Sequence, residues 1–192
     1  MENGVFIAWS RNESLAHRVA EEIEKNEKLA RYGFRGIVGG GRATERYVGE
    51  QIERQIADCR YAIVLARRLQ EAESCAFSDN VMYECGYLIA KLGFRAVRIF
   101  VEKNDMRYMP SDLQGNWLLP MDSTQSEEML AADIVARFAA EVEIERINKM
   151  QRMSLWLRVK EKLNDFRSGA SFSEREIAKD VLCITAKGKP IK

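Results

Sequence analysis

Between Asn80 and Gly86 the chain reads NVMYECG, and the glutamate within it is the residue best placed to do chemistry. Read as a helix, Val81, Cys85, Leu88 and Leu92 fall on one apolar stripe, while Asn80, Glu84, Tyr87 and Lys91 form a polar row along its margin. Glu84 is thereby half turned toward whatever the stripe packs against. A carboxylate one turn into a helix, at the mouth of a crevice, could stabilise the positive charge that develops on a ribose as an N-glycosidic bond breaks. One such group suffices when the leaving base is already cationic. Nicotinamide in NAD is such a base: it departs neutral and needs no general acid, unlike the leaving groups of glycoside hydrolysis with its paired carboxylates. The bland alternative is a surface helix glutamate paired with Lys91 or with solvent.

Gly39-Gly40-Gly41-Arg42 is the second group of interest. Three glycines let a backbone approach a ligand closely and present consecutive N–H groups; a helix N-terminus just beyond favours phosphate, and Arg42 adds a forked cation. The spacing is neither a dinucleotide fingerprint nor a Walker A loop, so a flexible surface turn is the competing reading. Trp9 is either an aromatic platform for adenine or nicotinamide or a partly buried core residue, and Ser10 follows it. Asn80 could hold ribose hydroxyls or cap its helix. Cys85 lies on the buried stripe and reads as inert core, and His17, with no acidic or cysteine cluster beside it, reads as structural or exposed.

These residues need a scaffold that brings them together. Val5 to Trp9, Phe34 to Val38, Tyr61 to Ala66 and Ala96 to Val101 are short apolar runs without polar alternation, as in strands buried on both faces of a parallel sheet. Trp117 to Leu119, bounded by Gly115 and Pro120, makes a fifth. Between them Leu15, Val19 and Ile23, then Val48, Ile52 and Ile56, recur at four-residue spacing, a helix reads from about Asn80 to Leu92 before Gly93, and Leu130, Ile134 and Phe138 mark a helix after the last strand. The predicted fold is α/β, a flavodoxin-like, doubly wound sheet of five parallel strands. In such a sheet ligands bind outside the carboxyl ends of the strands. That rule gathers Trp9 and Ser10, the glycine loop and the stretch leading to Asn80 at one crevice.

The chain divides into a domain over residues 1–140 and a helical extension with a loose tail over 141–192. No Gly or Pro interrupts Glu141 to Phe166, where Ile147, Met150, Trp156, Val159, Leu163 and Phe166 make a ragged stripe among basic residues from Arg146 to Arg167. That stretch is a solvated connector or a basic face for a membrane surface, nucleic acid or an acidic partner. Ser173 and Glu176 form a capping box that opens a last short helix, and the tail from Lys187 is loose.

With 30 Lys plus Arg against 29 Asp plus Glu, the formal charge of +1 lacks the footprint of a nucleic-acid binder. The longest apolar run, Tyr61 to Ala66, is far below the roughly 20 residues of a spanning helix, and no secretory leader opens the chain, so the expected location is the cytoplasm. Cys59, Cys75, Cys85 and Cys183 are widely spaced without a Cys-x-x-Cys, which argues against structural zinc and a disulfide framework.

From Ser78 to Gly115 the chain resembles the TIR-like nucleotide-binding domains of bacterial antiphage effectors. That family has an Asn-Val-x-x-Glu-x-Gly-Tyr helix, then Lys-Leu-Gly, a strand and a Pro-Ser-Asp-Leu-x-Gly turn. Here these are Asn80-Val81, Glu84, Gly86-Tyr87, Lys91-Leu92-Gly93, and Pro110-Ser111-Asp112-Leu113 with Gly115. The first strand and the segment from Ile52 to Leu65 also resemble it, and coverage runs to about residue 140. The resemblance puts the family's catalytic glutamate on Glu84 and its substrate-covering loop on Gly39 to Ala43. It implies NAD cleavage switched on by assembly into a homo-oligomer, with a STING-like or cyclic-nucleotide sensor in the same chain or in trans. NAD enters as substrate, and no cofactor or metal is expected. Ser111 or Asp112 caps the turn or touches ligand.

The expected function is therefore that of an NAD glycohydrolase. NAD would lie across the strand ends with Glu84 on the ribose, Arg42 and the glycine loop on the diphosphate, and Trp9, Ser10 and Asn80 around them. Two alternatives stand beside it: a non-enzymatic TIR scaffold, and a nucleoside deoxyribosyltransferase, which shares the flavodoxin-like sheet and a helix-borne glutamate.

Overall fold

The computed structural model describes residues 3–40, 48–68, 77–114 and 118–167. Five strands, β1 (Asn3–Trp9), β2 (Phe34–Val38), β3 (Cys59–Ala66), β4 (Val97–Glu102) and β5 (Leu118–Met121), form one parallel sheet in the order β2-β1-β3-β4-β5. The central strands carry apolar residues on both faces because both faces are covered: Val5, Phe6, Ile7 and Ala8 are all fully buried. Fully burying one such large side chain contributes roughly 1.5 to 3 kcal/mol, so the four-residue apolar run in β1 is itself a strong determinant of where the sheet forms.

The helices are α1 (Glu13–Lys25), α2 (Glu27–Ala30), α3 (Val48–Ile56), α4 (Asp79–Leu92) and α5 (Glu127–Arg167). Ile52 and Ile56 of α3 and Val81, Cys85 and Leu88 of α4 join Phe6, Ala8, Ala62, Val64 and Ile99 in one core cluster. The alternate residues of the strands serve the other face, where Tyr61 meets Phe34 and Phe138 edge-on at ring separations of 5.6 and 5.7 Å. Both faces of the sheet are thus covered by helices, the doubly wound arrangement.

Local signals explain the boundaries. Asn12 caps α1 by accepting the Leu15 N–H at 3.0 Å. Asn26 serves two helices: its backbone N–H closes α1 on the Glu22 carbonyl, and its side chain accepts from the N–H groups of Lys28 and Leu29 to open α2. This four-residue helix is too short to leave a periodic pattern, and the sequence reading passes over it.

Three further expectations need correction. The strand expected from Ala96 starts at Val97, because Phe94–Ala96 forms a 3-10 turn after the end of α4 at Gly93. The last strand does not stop before Pro120 but runs through it, paired as Val101 with Pro120. A proline is tolerated there because β5 is an edge strand and its missing N–H interrupts no further ladder. The helix marked by Leu130, Ile134 and Phe138 and the extension from Glu141 are one unbroken helix, α5. Trp117, the helix expected at Ser173 and Glu176, and the tail from Lys187 lie outside the described residues.

Residues 1–139 form one unit and residues 140–192 a second. In the second, Ile147, Met150 and Trp156 of the predicted apolar stripe are exposed, at 48%, 70% and 51%. No helix among the described residues is long and apolar enough to cross a membrane.

Candidate functional site at the carboxyl edge of the sheet

The strand order reverses between β1 and β3, the first strand having its successor on one side and the third strand on the other. At such a switch point the loops diverge and leave a crevice at the strand ends. The end of β1 delivers Trp9 and Ser10 there, the end of β2 delivers Gly39 and Gly40, and the end of β3 delivers Arg67 and Arg68. Arg68 then forms an isolated antiparallel bridge with Phe77, so the chain returns to the sheet edge just before α4 begins.

Glu84 lies in the second turn of α4 and is half-buried. Burial alone pushes its carboxyl up to about 6, and no hydrogen bond or ion pair from the described residues reaches it. The anticipated partner Lys91 is engaged elsewhere, 2.9 Å from Glu53 on α3. Glu53 also accepts from the Tyr87 hydroxyl at 2.5 Å, and these two contacts hold its carboxyl below the usual range. The polar row of α4 is thus split: its outer members clasp α3, and Glu84 keeps an open carboxylate that is ionised at neutral pH.

The stem of the glycine loop is latched to β1. The Gly39 N–H donates to the Ile7 carbonyl at 2.8 Å, the Trp9 indole N–H donates to the Gly39 carbonyl at 2.6 Å, and Gln55 of α3 donates to the Gly40 carbonyl at 3.3 Å. The amide of Gly39 is therefore committed to the sheet and not presented to a ligand. A Cβ at Gly39 would stand 2.6 Å from the Phe6 ring, so the close approach of chain to sheet requires glycine here. Gly40 has φ of +104°, beyond what an L side chain readily adopts, and packs against the Trp9 indole. Gly41 and Arg42 lie outside the described residues.

Ser10 is buried and its hydroxyl brackets Arg67: it accepts the Arg67 N–H at 3.0 Å and donates to the Arg67 carbonyl at 3.3 Å. Its hydrogen is thus committed to bracing the ends of β1 and β3. Asn80 is exposed at the second position of α4; Ser78 is the N-cap residue, so the capping reading of Asn80 does not hold. The 3-10 turn Ser111–Leu113 is closed by backbone bonds, Leu113 N–H to the Pro110 carbonyl at 2.9 Å and Gln114 N–H to the Ser111 carbonyl at 3.1 Å. Cys85 is fully buried and its thiol is pushed up to about 11 by that burial, as expected of inert core. His17 is exposed on α1, 3.7 Å from Glu13. No group of metal-ligating side chains occurs among the described residues.

The sequence reading does not single out Arg67 and Glu102, which line a cavity at the same edge of the sheet. They follow or end central strands, which is the signal the carboxyl-edge rule uses, but the reading went past Ala66 directly to Asn80.

The family described as CAP12/Pycsar effector protein, TIR domain, matches residues 4–123. The Pycsar effector protein PaPycTIR of Pseudomonas aeruginosa is 26% identical over 121 residues, 60% of this chain and 39% of that protein. The chain thus spans well under half the length of this relative. Among solved structures, two variants of a flavo di-iron protein from Thermotoga maritima align with TM-scores of 0.45 and 0.41 at 14% and 12% identity. They cover 71% and 72% of this chain and 35% and 36% of theirs.

Proposed function

The chain belongs to the TIR-domain family of CAP12/Pycsar effector proteins, and from that premise we propose that it is an NAD glycohydrolase acting as an antiphage effector. The observation that carries this reading is Glu84, a half-buried carboxylate without a partner among the described residues, on the helix that starts at the sheet's carboxyl edge. In the reaction the electron pair of the C1′–N bond leaves with nicotinamide and neutralises its ring nitrogen. The ribose passes through an oxocarbenium-like state, which the ionised Glu84 stabilises; water then adds to C1′ and loses a proton, giving ADP-ribose. Partial desolvation strengthens this attraction over its value in water. Trp9, fixed by its bond to Gly39, offers an indole surface beside the loop. Arg42 and the rest of the glycine loop are proposed to meet the diphosphate.

We further propose that activity rises with assembly of copies of this chain, with a sensor domain or sensor protein supplying the signal. The exposed Ile147, Met150 and Trp156 support this, since large apolar side chains in solvent favour a covering partner.

The test is nicotinamide release from NAD by the full chain across a wide protein concentration range, with a parallel arm of deoxynucleoside plus free base. Release that rises in specific activity with concentration is the expected result. Base exchange without NAD cleavage would establish a deoxyribosyltransferase, and neither activity in any assembled state would leave a scaffold. Constant specific activity from dilute to concentrated protein would sink the assembly requirement alone.

A further inference from the structure

The carboxyl ends of β3 and β4, with the residues after β5, enclose a cavity of about 290 Å³ lined among the described residues by Arg67, Arg68, Glu102, Asp105 and Ser123. Two of these are already matched: Arg68 lies 3.7 Å from Asp105 and stacks 4.3 Å over the Tyr108 ring. Arg67 and Glu102 are satisfied only in part. The Nε of Arg67 and the Oε1 of Glu102 are both shut off from solvent and lack a hydrogen-bond partner. Buried polar atoms left in that state are uncommon, and here two of opposite character belong to half-buried side chains lining one cavity.

Ser10 brackets the backbone of Arg67 through two hydrogen bonds, and the Ser123 N–H donates to Glu102 Oε2 at 3.3 Å, which leaves Oε1 as the carboxylate oxygen without a partner. A ligand that enters the cavity and to which both lining side chains turn must present an anion to a guanidinium and hydroxyl donors to a carboxylate. Inorganic phosphate would satisfy only Arg67, and a simple cation only Glu102. A ribose carrying a 5′-phosphate does both: guanidinium forks match phosphate, and an acidic residue at a strand end accepts ribose hydroxyls in nucleotide-binding sheets. A neighbouring cavity of about 460 Å³ shares Glu102 and Ser123 and adds Pro120 and Met121, which gives a base an adjoining partly apolar surface.

We propose that Arg67 and Glu102 form the subsite for the adenylate half of the dinucleotide, with Arg67 on the 5′-phosphate and Glu102 on the ribose hydroxyls. This rests on the NAD reading above for the identity of the ligand. Through Ser10 the backbone of Arg67 is tied to the end of β1 beside Trp9, which puts this residue at the switch point of the sheet.

The test is calorimetric titration of the full chain with AMP, 2′,3′-dideoxy-AMP and inorganic phosphate, repeated on Arg67→Ala, Arg67→Lys and Glu102→Gln with folding followed by circular dichroism. AMP should bind at least about tenfold more tightly than the dideoxy analogue and than phosphate. Arg67→Ala should weaken AMP about tenfold, with Arg67→Lys recovering part of the loss. Glu102→Gln should erase the preference for AMP over its dideoxy analogue. No saturable AMP binding by the folded parent, or equal affinity for AMP and dideoxy-AMP, overturns the proposal without any variant having to fold. AMP binding with these dependences but no nicotinamide release would leave the subsite standing and remove the glycohydrolase reading. NAD cleavage with a KM unchanged in Arg67→Ala would do the reverse.

Discussion

Glu53 on α3 accepts from the Tyr87 hydroxyl at 2.5 Å and from the Lys91 ammonium at 2.9 Å, whereas Glu84, on the same helix as both donors, receives neither. The two carboxylates are chemically the same, yet their surroundings drive them in opposite directions. Hydrogen bonds first, and then the charge of Lys91, favour the ionised form of Glu53; burial disfavours the ionised form of Glu84 and pushes it up to about 6. The exposed pair at the helix rim ties α3 to α4, and in doing so occupies the one nearby cation on α4 that could have neutralised Glu84. A carboxylate that is half-buried and unpaired is poor for stability and good for meeting a developing cation.

The largest expected effect tests this contrast directly. Glu84→Gln preserves shape and removes charge, so it should lower kcat for nicotinamide release about a hundredfold or more through lost transition-state stabilisation of about 3 kcal/mol, while circular dichroism stays unchanged. Glu53→Gln should leave kcat within about threefold, because its charge faces the rim. Equal losses from the two substitutions would erase the distinction between them.

A second effect, of about tenfold, lies in the pH dependence. Glu84 must be ionised to stabilise a cation, so kcat/KM for NAD, which reports the ligand-free enzyme, should climb with pH through about 6 and then level off, falling about tenfold for each unit well below it. The midpoint should persist in Glu53→Gln. A plateau that extends unbroken to pH 4.5 would show that the titrating group is not this carboxylate.

How much of this was readable beforehand follows from the range of each interaction. The five strands were legible because each is a short apolar run, and the phase of α4 put Val81, Cys85 and Leu88 inside and Glu84 at the margin, as observed. Contacts within a few residues carry that information. The partner of Lys91 was not legible, since Glu53 lies 38 residues away on another helix, whereas helical periodicity reports only neighbours on the same helix. That Arg67 and Glu102 line one cavity needed the register of β3 on β4, which aligns Ala66 with Val101 and so sets the residues that follow at the same edge. Pro120 misled for a related reason: whether a proline ends a strand depends on whether the strand is at an edge, a property of the sheet and not of the segment.

The smallest effect is the most discriminating, because it compares the same two residues without any substrate. For Glu84 the folded-state value near 6 exceeds the ordinary 4.5, so the folded chain holds the proton more tightly than the unfolded chain between those values. Stability therefore falls as pH rises through that window, and above it the parent carries the full penalty of a half-buried charge. Glu84→Gln should melt higher than the parent at pH 7, and the difference should vanish below about pH 4.5, where the parent is protonated in both states. For Glu53 the folded-state value lies below 4.5, so its contribution is present at neutral pH and fades only as acid protonates the folded form. Glu53→Gln should then melt slightly lower than the parent at pH 7, with a difference that shrinks in acid and in high salt, since the pair is exposed and screened. Melting curves of the three proteins from about pH 2.5 to 8 should give differences of opposite sign at neutral pH, that of Glu84→Gln closing by about pH 4.5 and that of Glu53→Gln only below it. Differences of the same sign would mean that Glu84 is paired in solution, and the contrast that singles it out for catalysis would be lost.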